Sequence, residues 1–168
     1  MRAIWVVLLW ACFSCTGYAL DPQFDIKALS KQEISGYLNG RGMGFAKAAE
    51  MHRYPGPSHV LELAEQLHLS DQQLKASQTL FDGMQKRARE KGLQLLRKEE
   101  EIEALFRQSR ATPEQLGKLL EQAASLRAEL RFVHLAAHIE QKQLLSATQI
   151  DHYTRLRNPH HHQHRHHH

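Results

Sequence analysis

One five-residue pattern occurs twice, as Leu69-Ser70-Asp71-Gln72-Gln73 and as Leu145-Ser146-Ala147-Thr148-Gln149, and the two copies bracket the longest periodic stretch of the chain. In Leu-Ser-x-x-Gln the serine is a strong N-cap. The glutamine three residues later can reach back to the cap's own N–H, which completes a capping box. The leading leucine takes the outer position of a hydrophobic staple, for which Leu74 and Ile150 are the expected inner partners. Each copy therefore predicts the start of a helix, and everything between Ser70 and Gln149 has to be accommodated between those two starts.

Between them Leu74, Phe81, Ala88, Leu95 and Ile102 recur every seven residues, and Leu80, Met84, Leu96, Leu105 and Phe106 widen the stripe. The pattern breaks at Ser109-Arg110-Ala111. Thr112-Pro113-Glu114-Gln115 then predicts a new helix start, with proline where its missing N–H does no harm. Leu116, Ala123, Leu130, Ala137 and Leu144 form the second column, interleaved by Leu119, Leu126 and Val133. Two helices of this kind, each ~57 Å long if ~38 residues are helical, predict an antiparallel pair with a narrow apolar seam. A hairpin has little depth, so a second copy is the economical way to cover its remaining apolar surface, and a homodimer is expected.

Ahead of the hairpin, residues 1–19 read as a secretory signal peptide. Arg2 is the charged start, Ala3 to Cys15 is nearly all apolar, and Gly17-Tyr18-Ala19 offers small residues for cleavage. The apolar run is shorter than the ~20 residues a bilayer span needs, so no stable membrane span is expected once it is removed. A lipid-anchored reading at Cys15 ranks lower, because Cys12-Phe13-Ser14 fits such a signal poorly. Removal takes both cysteines and both tryptophans, which excludes disulfides and thiolate ligands from the mature chain. The formal charge of +4 loses only Arg2 and becomes +3. That mild excess does not indicate nucleic acid.

Residues 20–41 read as a flexible segment with one short helix, opened by the capping box Ser30-Lys31-Gln32-Glu33. Asn39-Gly40-Arg41-Gly42-Met43-Gly44 is a breaker cluster that lacks the Gly-Lys-Ser/Thr ending of a phosphate loop. Phe45 to His52 predicts a second short helix, ended by Tyr54-Pro55-Gly56-Pro57. Ser58 is the expected cap of a third, carrying Val60, Leu61, Leu63, Ala64 and Leu67. No stretch reads as a strand, so the fold class is all-α. Residues 42–157 form the helical domain and 158–168 a His-rich tail.

The paired Leu-Ser-x-x-Gln motifs, the exported helical hairpin and the Tyr54-Pro55-Gly56-Pro57-Ser58-His59-Val60-Leu61-Glu62-Leu63 stretch resemble the CpxP/Spy (LTxxQ-motif) family of bacterial periplasmic proteins, in its branch of heavy-metal sensors and zinc-resistance-associated proteins. The resemblance covers roughly Gly42 to Arg157, with serine where the family more often has threonine. It implies a bowl-shaped, intertwined antiparallel dimer in the periplasm and no catalysis. It also implies one of three roles: binding of metals such as zinc, nickel or cobalt, modulation of an envelope-stress sensor protein, or ATP-independent chaperoning of unfolded proteins.

Histidine carries the chemistry. His134 and His138, spaced i,i+4 on the second long helix, can turn both rings toward one point, and neutral imidazole suits zinc, nickel, cobalt and copper. The alternative is a pair of solvated histidines on a flank that already carries Arg127 and Arg131. Leu135 stands where a His-Glu-x-x-His protease has its general base, which disfavours proteolysis. Two ligands are too few for zinc. His59 is the candidate third, and His52, Glu62 or Met84 would complete a shell. The tail offers His160, His161, His162, His164, His166, His167 and His168, interrupted by Gln163 and Arg165. It reads either as a purification tag or as a native chelating tail, the interruptions favouring the second. The expected ligand is a divalent transition metal, zinc first and nickel, cobalt or copper after it. The expected function is metal binding in heavy-metal stress, with a chaperone role, metal being incidental, as the alternative. No nucleophile is paired with a base and no cofactor loop is present, so an enzyme is not expected. The basic run Lys86, Arg87, Arg89 and Lys91 and the acidic run Glu99 to Glu101 read first as solvated helix faces.

Overall fold

The computed structural model describes residues 23–157. The expected signal peptide at 1–19, with Cys12 and Cys15, and the tail histidines at 160–168 lie outside the described residues. The described residues are all-helical, with α1 at Lys31–Leu38, α2 at Lys47–Met51, α3 at Pro57–Glu62, α4 at Asp71–Arg107, α5 at Pro113–Leu144 and α6 at Ala147–Arg157. Among the described residues no helix is long and apolar enough to cross a membrane.

The long hairpin is α4 packed along α5. Ser70 accepts from Gln73 N–H at 3.2 Å and Gln73 returns the bond to Ser70 N–H at 3.1 Å, so the first capping box forms as the motif predicts. The second forms between Ser146 and Gln149, at 3.2 and 2.9 Å. The Ser30–Glu33 box opens α1. At Thr112 only half the box is present: its side chain accepts from Gln115 N–H, and Pro113 fills the first helical position. Ser109, at φ 53°, makes the reversal between the long helices.

Three expectations are corrected. Ser58 does not cap α3. Pro57, whose fixed φ suits a first helical position, starts the helix one residue earlier behind Gly56. The helix also stops at Glu62 instead of running to Leu67, and the chain turns through His68 at φ 48° to enter α4. The staple forms only at the second motif. There Leu145 and Ile150 are buried together with Val60, Leu67 and Tyr153. At the first, Leu69 packs on that same cluster while Leu74 stays 43 % exposed.

The two motifs also meet each other. Gln73 Nε2 donates to Gln149 Oε1 at 2.9 Å and Gln149 Nε2 donates to Gln73 Oε1 at 3.0 Å, an antiparallel amide pair. Each amide's second N–H goes to backbone, Gln73 to Leu144 O at 2.8 Å and Gln149 to Leu67 O at 3.3 Å. The open end of the hairpin is thereby clasped.

From Gln23 on, the lead-in lies against the hairpin. Ile26 and Tyr37 join Ala88, Leu95, Leu96, Ala123 and Leu130 in the larger apolar cluster. Gly92 makes that approach possible, since a methyl there would collide with the Tyr37 carbonyl. Lys91 reaches Glu129 across the hairpin at 2.6 Å, and Lys98 reaches Glu101 at 2.8 Å, so part of the charged face of α4 is spent on pairs. Between this cluster and the clasped end, the seam changes character. Met84 and Ser77 of α4 face His134, His138 and Gln141 of α5, a buried and largely polar layer between two apolar ones.

Candidate metal centre

His134 and His138 are 3 % and 6 % exposed, so the solvated-pair alternative does not describe them. Their i,i+4 spacing puts both on the seam side of α5, and both line a cavity of about 470 Å³ together with Met84, His59, Glu50 and Gly56. The His134 ring stacks on Phe45 at 5.9 Å between centroids, and the Arg127 guanidinium lies over the other ring of that stack, 5.7 Å from the Phe45 centroid. The Nε2 atom of His134 is buried and has no hydrogen-bond partner. Burial first, and the neighbouring His138 second, push its pKa down to about 4, so the ring is neutral at physiological pH.

His138 is oriented from outside. Its Nδ1 stands 2.8 Å from the Tyr54 carbonyl, which can only accept, so Nδ1 carries a proton and the neutral ring has its lone pair on Nε2. That arrangement, one ring nitrogen held by a carbonyl and the other free, is how ligating histidines are commonly fixed. Lys142 Nζ sits 3.7 Å from the Tyr54 ring centroid and helps hold the loop that supplies the carbonyl. Gly56 lets the loop close, because a Cβ there would lie 2.8 Å from His138 Cε1.

His59 reaches the same cavity but is committed elsewhere. Its Nδ1 is 3.1 Å from Glu62 Oε2. Its Nε2 is 3.1 Å from Arg157 Nη2 and 3.5 Å from Glu50 Oε1. Arginine can only donate, so the lone pair of His59 points at Arg157. α6 therefore bears on the cavity, and a second pair, Arg53 with Asp151, ties it to the same loop. Of the remaining candidates, Met84 lines the cavity and is 7 % exposed, Glu62 is held by His59, and His52 is exposed at the end of α2 and does not line the cavity. Among the described residues, no three His, Cys, Asp or Glu side chains stand close enough to hold one ion.

The sequence reading missed Glu50, Arg157 and the Tyr54 carbonyl. The first two sit far from the histidine pair in sequence, and a backbone oxygen leaves no residue-type signal. Compared with protein-family models, with curated proteins and with solved structures, the chain finds no match.

Proposed function

We propose that this is an exported, periplasmic metal-binding protein of heavy-metal stress, similar in type to the CpxP/Spy family, that holds a transition metal between α4 and α5. The observation that carries the reading is the buried, unpartnered Nε2 of His134 beside a His138 whose tautomer is already fixed. An unsatisfied buried polar atom costs about 1–3 kcal/mol, and a ligand is a direct reason to retain one. His134 and His138 would supply two nitrogen ligands, and Met84, which lines the same cavity, would add a third donor. His59 would join only by giving up Arg157. The role is binding, with no reaction assigned to it.

The test is a metal titration of the chain from Leu20 to His168, beside a His134→Ala/His138→Ala variant. Zinc, nickel and copper are each titrated. The expected result is one tight equivalent lost in the variant, with affinity down at least about tenfold, while equivalents bound by the tail persist. Superimposable isotherms would remove the cavity site and leave only the tail.

A second reading has its own observation. Phe132 and Ile139, seven residues apart on one face of α5, are 70 % and 51 % exposed. Such a face suits a second copy of the chain, an unfolded polypeptide held by a chaperone, or an envelope sensor protein. Phe132→Asp separates the first two. If copies pair there, sedimentation shows the variant as monomer. If clients bind there, it loses suppression of aggregation with its oligomeric state unchanged. A variant indistinguishable from the parent in both assays removes this face from the function.

A further inference from the structure

The donors buried at the cavity differ from those a zinc site needs. Two imidazoles and a thioether bring no negative charge to an ion, and no carboxylate among the described residues is buried with His134, His138 and Met84. Glu50, an acid that lines the cavity, is half-buried and stands 3.5 Å from His59 Nε2. Arg157 occupies the lone pair of the third imidazole. Structural zinc takes four protein ligands, and catalytic zinc takes three. Charge argues in the same direction. The cost of moving an ion out of water rises with the square of its charge, so a dication is about four times as costly to bury as a monocation of similar size, and it needs anionic ligands to offset that. A thioether brings no charge to set against that cost, yet it is a preferred donor for Cu(I).

We infer that the cavity is selective for a soft monovalent cation, Cu(I) or Ag(I), held by His134, His138 and Met84. This rests on reading the cavity as a metal site, and it replaces zinc by a different class of ion there. Methionine suits this position because its unbranched chain adapts to the gap between α4 and α5 without a fixed geometry. The other methionine at the cavity, Met43, has its sulfur packed on Gly36 and serves as the control.

The experiment uses the chain from Leu20 to His168, which contains no cysteine and whose tail contains no sulfur. A thioether signal therefore cannot come from the tail. Ag(I) is titrated directly, Cu(I) against a competing chelator without oxygen, and zinc against a chromophoric chelator. Met84→Leu conserves volume and should keep the fold, which circular dichroism checks. It is expected to weaken Cu(I) and Ag(I) at least about tenfold while moving zinc less than about twofold. X-ray absorption on the first Cu(I) equivalent should show a sulfur scatterer that Met84→Leu removes and Met43→Leu keeps. Cu(I) bound by nitrogen alone, or zinc weakened as much as Cu(I), overturns the selectivity. If His134→Ala/His138→Ala still abolishes one equivalent in that case, the metal site stands without it. If no equivalent depends on either histidine, both readings fall.

Discussion

Replacing Gln73 with leucine should lower the unfolding free energy by about 2–4 kcal/mol, from four hydrogen bonds worth roughly 1 kcal/mol each and the partners left unpaired. The Gln73 amide uses its full capacity: it accepts from Ser70 N–H and from Gln149 Nε2, and it donates to Leu144 O and to Gln149 Oε1. Leucine keeps the bulk and deletes all four bonds. Gln149→Leu should cost a similar amount, since the same pair is lost together with the bonds to Ser146 and Leu67. The double variant should cost clearly less than the two losses added, with a coupling of at least about 1 kcal/mol, because the first change has already broken what the second removes. Urea unfolding followed by circular dichroism measures all four corners of the cycle. Strictly additive losses, each below about 1 kcal/mol, would show that the clasp carries little of the fold's stability.

Acidification of the metal-free protein is the second large effect. His134 titrates near 4 in the fold and near its ordinary 6.5 in the unfolded chain. The unfolded state therefore binds the proton first as pH falls. The stability held above pH 6.5 is lost progressively toward pH 4, by about 3 kcal/mol at about 1.4 kcal/mol per pH unit, and no more is lost to this group below that. The exposed carboxylates of Asp25, Glu33 and Glu129 are held below their usual range by hydrogen bonds and neighbouring cations, so their effects fall at lower pH. Unfolding at about pH 7 and about pH 4.5 should show the difference in the parent and a much smaller one in His134→Leu. An equal loss in both would assign the acid sensitivity to another group.

What the sequence disclosed follows the range of the interactions. Capping boxes join residues three apart, so Ser30, Ser70 and Ser146 were legible, and the seven-residue columns fixed α4, α5 and the reversal between them. That His134 and His138 share a face followed from helix geometry alone. Their burial did not, because it depends on the loop at Tyr54–Pro57 folding over α5. The pairing of Gln73 with Gln149 was hidden for the same reason. Each glutamine is fully explained as a cap, and nothing in a cap foretells a partner 76 residues away. Leu74 failed as a staple because the cluster around Val60 and Tyr153 had already captured Leu69. Ser58 lost its capping place to the proline beside it.

The clasp also bears on how this protein survives its surroundings. Covalent fastening of distant parts of a chain is commonly done by disulfides, which depend on an oxidising compartment and fail when it is reduced. The described chain has no cysteine and ties residue 73 to residue 149 with two amides instead. That fastening carries no redox state. Thiols, peroxide and a redox-active copper ion leave it untouched, and it opens and recloses by breathing alone, with no catalyst needed to make it again.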